Sequence, residues 1–155
     1  MTRVYKFHLY PNKKQQDVMF KQLNLCRFVY NQLLEELGRN KSKKHIQHYI
    51  LDLKAKYPEL KQVYSKTLQY ECYRLFSNIT GLKQSKKKGN KIGRLRFKGR
   101  DWFKTICYNQ SCFKLTKQDK RYNLLHLSKI GDIRLLQHRE SEGKIKGISI
   151  KRKVD

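Results

Sequence analysis

A chain of 155 residues with 37 Lys and Arg against 12 Asp and Glu carries a formal net charge of +25, and it has the length of one ordinary domain or two very small ones. Its hydrophobic share of 38% allows only a thin core, and no apolar run approaches the roughly 18 residues of a membrane-spanning helix. Self-repulsion at this charge is relieved by a polyanion, so the expected partner is nucleic acid and not a membrane; with no signal-peptide h-region after Met1 the expected location is cytoplasmic.

In chain order, Tyr5, Phe7 and Leu9 alternate with Lys6 and His8, which predicts a half-buried strand over residues 4–9 that Pro11 ends. Asn12 followed by Gln15 reads as a capping box, with a helix from there to about Asn24. Phe28, Val29, Leu33 and Leu37 predict a second helix over about 25–37, stopped by Gly38 and separated from the first by a tight joint. Ser42 caps a third helix over about 43–56, whose stripe is Ile46, Ile50 and Leu53, and Pro58 breaks the pattern. The fourth helix, over about 65–82, stacks Leu68, Cys72, Leu75, Phe76 and Ile79 on one face, with Gln69, Tyr70, Tyr73 and Arg74 on the others.

From Lys83 to Lys104 the chain is dense in Lys and Arg, opposed by Asp101 alone and loosened by Gly89, Gly93 and Gly99. Such a segment orders on a phosphate backbone, with Phe97, Trp102 and Phe103 anchoring it or stacking among the charges. Beyond it, strands are expected at about 105–108, 112–116, 122–127, 132–138 and 144–154, joined by turns at 109–111, 117–120, 129–131 and 140–143. The expected class is α+β: a small antiparallel β-barrel with a helical bundle inserted after its first strand. The corresponding division is 1–10 for the first barrel strand, 11–83 for the inserted helical domain, 84–104 for the basic loop and 105–155 for the remaining strands.

Cys26 and Cys72 fall on apolar helical faces and read as small buried hydrophobes. Only Cys107 and Cys112 are close in sequence, and the five His have no carboxylate or Cys at ligand spacing, so no metal and no other cofactor is expected.

The opening Tyr5-Lys6-Phe7-His8-Leu9-Tyr10-Pro11-Asn12, then Cys26-Arg27-Phe28-Val29-Tyr30-Asn31, Leu68-Gln69, Arg94-Leu95-Arg96-Phe97-Lys98, Leu127-Ser128-Lys129-Ile130-Gly131, and His138-Arg139 with Gly143-Lys144-Ile145-Lys146 resemble, in order and spacing, the N-terminal half of TnpB, the RNA-guided nuclease of a class of insertion sequences. The resemblance implies that the barrel is oligonucleotide-binding-like and that the helical domain separating its first strand from the others is a recognition domain. It also implies that barrel and helices hold a guide RNA scaffold and read a short duplex beside the target, while base pairing reads the target itself. Mapped by motif position, the duplex-facing residues would be Ser65, Lys66, Gln69, Tyr108 and Asn109, where Gln suits adenine and Lys a phosphate or guanine edge. The residues expected to hold RNA are Arg27, Lys91, Arg94, Arg96, Lys98, Arg100 and Lys104, with Trp102 stacking.

The departure from the family concerns catalysis. A RuvC-type nuclease uses three carboxylates to hold two metal ions, and in the family the first lies in a Gly-Ile-Asp-x-Gly strand beyond the last barrel strand. The sequence stops at Asp155 before such a strand and has no zinc ribbon, so no catalytic residue is assigned and no nuclease activity is expected. Guide RNA and DNA are the partners the resemblance implies, together with a nuclease half encoded separately. A helix-turn-helix DNA-binding regulator working without RNA, with its second helix in the major groove, and a structural RNA binder are the alternatives.

Overall fold

Asn12 starts the helical block as its side chain predicts: its Oδ1 accepts from the Gln15 amide at 2.8 Å and the Gln15 side chain returns a bond to the Asn12 N–H at 3.0 Å. The computed structural model describes residues 2–109 and 111–153. From the cap, a single helix, α1, runs Lys13–Arg39, in place of the two expected helices with a joint near residue 24. The physical reason is continuity of the stripe. Leu23, Cys26, Val29, Tyr30 and Leu33 are all buried at three- and four-residue spacing through the expected joint, and a break there would turn half of them off the core. Nor does Gly38 stop the helix, which runs on to Arg39 and is capped by Asn40, whose N–H donates to the Glu36 carbonyl at 2.9 Å.

Helix α2 spans Lys43–Lys56, as expected, with Ser42 Oγ accepting from the His45 N–H. Ile46, Ile50 and Leu53 are its buried face. A 3₁₀ turn, Pro58–Gln62, buries Leu60 and leads into α3, Ser65–Lys87. Helix α3 outruns its expected end at Leu82 by more than a turn, so Lys83, Lys86 and Lys87 are helical and not part of a loop. Lys86 and Lys87 sit in the last turn, where cations oppose the negative end of the helix dipole.

The strands are β1 (His8–Tyr10), β2 (Thr105–Asn109), β3 (Phe113–Lys117), β4 (Tyr122–Leu127), β5 (Gly131–Leu136) and β6 (Gly147–Lys151). β1 is shorter than expected, and it pairs antiparallel with β5, Leu9 facing Leu135. Gln110 of an expected turn and Val154 of the expected last strand lie outside the described residues, as does Asp155.

The class is α+β, but among the described residues the strands form two ladders and not a closed barrel: a four-stranded sheet in the order β1-β5-β4-β3 and a pair β2-β6, all antiparallel. Side chains of α3 engage β2 directly: Thr67 Oγ1 donates to the Cys107 carbonyl at 2.8 Å and Arg74 to the Thr105 carbonyl at 3.3 Å. Those groups are thus satisfied by a helix and do not template a further strand. One core unites the parts, with Val29, Tyr30 and Leu33 of α1, Leu68 and Leu75 of α3, Ile106 and Tyr108 of β2, and Leu125, Leu127 and Ile133 of the larger sheet.

Candidate nucleic-acid interface

The basic segment between α3 and β2 has no regular secondary structure from Asn90 to Gly99, so its path depends on side chains that reach it from elsewhere. Arg27 and Asn31 lie four residues apart on one face of α1 and both reach Lys98. Asn31 makes a two-bond clamp, its Nδ2 donating to the Lys98 carbonyl at 2.9 Å and its Oδ1 accepting from the Lys98 N–H at 2.8 Å. Arg27 donates to the same carbonyl at 3.1 Å. Arg27, expected as an RNA contact, is therefore half-buried and committed to this main chain: it positions the segment.

After the clamp the chain turns, the Trp102 N–H donating to the Gly99 carbonyl at 3.2 Å. Asp101 takes the left-handed conformation there, with φ of 60°, a region that a short polar side chain tolerates better than a bulky one. The turn sends the next two rings in opposite directions. Phe103 is buried and meets Tyr30 edge-on at 5.6 Å, while Trp102 stays 63% exposed with Lys98 Nζ 5.0 Å from its ring centre. Lys91, Arg94, Arg96, Arg100 and Lys104 are exposed, and Lys98 is half-buried.

Between this turn and α3 lies an open cleft of about 380 Å³. Arg74 and Asn78 of α3 form one wall, Lys98, Trp102 and Lys104 the other, and Tyr30 lies beneath. The Arg74 guanidinium lies over the Phe103 ring, 4.4 Å from its centre, and Asn78 Nδ2 donates to the Tyr30 hydroxyl at 3.0 Å. The Arg74 Nε lies 3.6 Å from Glu71, the buried acid of α3. Burial pushes the Glu71 carboxyl up to about 8, although the Arg74 charge and a hydrogen bond with Cys26 oppose the shift. Glu71 is thus mostly protonated at neutral pH.

A second depression, of about 610 Å³, runs between α2 and the first turns of α3. Lys44, His48, Leu51 and Lys54 line it from α2, and Gln69 lines it from α3. Ser65 does not line it but accepts from the Nζ of its lining residue Lys54 at 2.8 Å, and burial lowers the Lys54 pKa. The duplex-facing set mapped from the resemblance is consequently split. Ser65 and Gln69 belong to the α2 side, whereas Lys66 donates to Ser111 Oγ at 3.3 Å, beside exposed Asn109 at the end of β2.

Tyr108 has to be taken out of that set. It is fully buried, stacks on Tyr64 at 5.8 Å, and donates its hydroxyl to the Ser128 carbonyl at 2.7 Å. Alternation along β2 explains it, because Ile106 and Tyr108 share the face turned to the core.

Sequence reasoning missed Arg74 and Asn78 as cleft residues and the polar side of α2 altogether. The spacing of Tyr70, Arg74 and Asn78 is a helical stripe that could have marked the first. Nothing local to α2 marked the second, since a run of Lys and His on a helix also describes an ordinary solvated face.

Cys26, Cys72 and Cys107 are buried and Cys112 is exposed, all as free thiols. Among the described residues no three of His, Cys, Asp and Glu come together to hold a metal ion, and no helix is long and apolar enough to cross a membrane.

Fold and surface together define an α+β protein with a helical block flanked by cationic clefts. Its residues 1–43 match the family model of a helix-turn-helix domain, that of IS605 OrfB proteins, so this segment is similar to a domain of the OrfB/TnpB type. No curated protein matches the chain. The matched residues hold β1, α1 and the first residue of α2, so within the match the chain has one continuous helix, α1, followed by the short turn Asn40-Lys41-Ser42.

Proposed function

We propose that the chain is a transposase-related nucleic-acid-binding module of the TnpB type. Its basic segment holds a structured guide RNA, the groove between α2 and α3 reads a short DNA duplex, and the module has no nuclease activity of its own. The observation that carries this reading is the position of Gln69. Its exposed amide faces α2, the second helix of the pair that begins in the matched segment, across a groove lined by Lys44, His48 and Lys54. Cations that meet phosphates beside an amide that meets a base edge are the usual division of labour on DNA.

The test is a matched set of duplex and RNA titrations. Gln69→Ala is expected to cost about 1–3 kcal/mol against the preferred duplex, to relax preference at one base pair and to leave RNA binding unchanged. Equal weakening on all duplexes would make the amide a phosphate contact and end the base-reading assignment. For the RNA arm, converting Arg94, Arg96, Lys98 and Arg100 together to Ala is expected to flatten the plot of log K against log salt by about 0.7 to 0.9 for each phosphate contact removed. With Mg²⁺ or Mn²⁺ the purified chain is expected to leave single- and double-stranded DNA uncut, with or without RNA. A helix-turn-helix regulator acting without RNA is the second reading, favoured by the match over residues 1–43, and a chain that binds duplex with the same affinity and preference in the absence of any RNA would select it.

A further inference from the structure

The cleft between α3 and the turn at Gly99–Trp102 has a chemistry more specific than its charge. An indole 63% exposed to water stands at its edge, and a guanidinium fixed on the face of Phe103 forms its opposite wall. Exposed indole is an apolar surface in want of a cover, and the segment that carries it is locked by three hydrogen bonds to Lys98 from Asn31 and Arg27. Locking matters because a flexible tryptophan would lose conformational entropy on stacking, whereas this one is already presented by the turn. Arg74 turns its Nε toward Glu71 and commits one N–H to the Thr105 carbonyl, and the remaining N–H groups of its planar fork are the ones that can meet a ligand in the cleft. Lys104, exposed on the other wall, supplies a second cation.

A flat ring platform and two cations set around a cleft of about 380 Å³ match the two halves of a nucleotide, a base with a π-face and a phosphate with a charge. Base pairs in the interior of a duplex present no free face to such a platform, since both faces are covered by their neighbours in the stack. We propose that this cleft takes one unpaired nucleotide of a bound strand, its base stacked on Trp102 and its phosphate held by Arg74 and Lys104. The assignment rests on the reading of the chain as a nucleic-acid-binding module and adds to it a site for a single splayed-out base, separate from the duplex groove between α2 and α3.

Trp102 is the one tryptophan of the chain, so its fluorescence reports this site alone. The full chain is titrated with an octamer of uridine, an octamer of thymidine and a blunt self-complementary duplex, each end-labelled for anisotropy at a wavelength clear of the indole. Either single strand is expected to quench Trp102 in step with its anisotropy rise, the ribo- and deoxyribo-octamers together telling whether the sugar matters, while the duplex raises anisotropy with little quenching. Trp102→Ala, an exposed position, is expected to weaken the quenching strand by roughly tenfold in anisotropy, the range of one base–aromatic stack. Arg74→Lys, which keeps the charge but not the planar fork, is expected to weaken it several-fold. Single strands that bind without touching the indole emission, or a duplex that quenches as strongly as they do, would overturn the site while leaving nucleic-acid binding in place. No anisotropy change with any of the three at low salt would remove the site and the functional reading together.

Discussion

The helical block and the basic segment are built on opposite plans. Along α1, α2 and α3 each helix has a fully buried stripe, Val29 and Leu33, Ile46 and Leu53, Leu68 and Leu75, and the order of that region is carried by packing. From Lys88 to Trp102 no residue is fully buried, and the segment is positioned by a few directed contacts: the Asn31 clamp, the Arg27 bond and, at its end, the Phe103 ring wedged between Tyr30 and Arg74. A protein with a net charge of +25 gains from this separation. Cations concentrated on a segment outside the core repel one another without straining the helices, and their field is left open to a polyanion.

The comparison can be broken most severely at Phe103, where the two regions join. Phe103→Ala removes a buried ring from the contact of α1, α3 and β2, and the expected loss is about 3–5 kcal/mol of unfolding free energy, read by denaturant titration. A loss below about 1 kcal/mol would mean that the basic segment contributes nothing to the core.

Glu71 sharpens it through pH. Its carboxyl titrates near 8 in the fold against an ordinary value of 4.5, so between those values the folded chain holds a proton that the unfolded chain has lost. Stability from this group is therefore full below about pH 4.5, declines as pH rises and is gone above about pH 8, a total on the order of a few kcal/mol. Glu71→Gln, neutral throughout, is expected to flatten thermal stability across this window and to melt above the parent chain at pH 9. Parallel melting curves for the two proteins from pH 5 to 9 would show that Glu71 is not buried as an acid.

The smallest expected effect on folding comes from the clamp. Asn31→Ala deletes two hydrogen bonds to a half-buried backbone, at an expected cost of about 1–2 kcal/mol, yet it should weaken RNA binding as well because Lys98 and the turn after it lose their anchor. Equal RNA affinity for parent and variant at matched salt would show that the segment needs no pre-positioning.

Much of this could be read directly from the amino-acid order. The Asn12 capping box, the bounds of α2, the buried stripe of α3, the segment Tyr122–Leu127 as a strand, the α+β class and the concentration of cations before β2 are all local patterns, and local patterns are carried by side-chain period and cap chemistry. The N-terminal resemblance to OrfB/TnpB proteins was legible in the same way, in contiguous residues, and it is supported over residues 1–43. Whether α1 was one helix or two was not local, because Asn24 and Leu25 permit a joint and only the core that Leu23 and Cys26 must both enter forbids it. The same holds for Tyr108, which motif position in the resemblance sets among the duplex-facing residues while the fold buries it in the common core. Lys98, Trp102 and Lys104 are legible from sequence as contacts, but their assembly with Arg74 and Asn78 into one cleft was decided by tertiary structure. Tyr30, Arg74, Asn78, Lys98 and Trp102 are drawn from three separated stretches of chain, and no periodicity records that Asn31 will fasten Lys98 where Arg74 can face Trp102 across it.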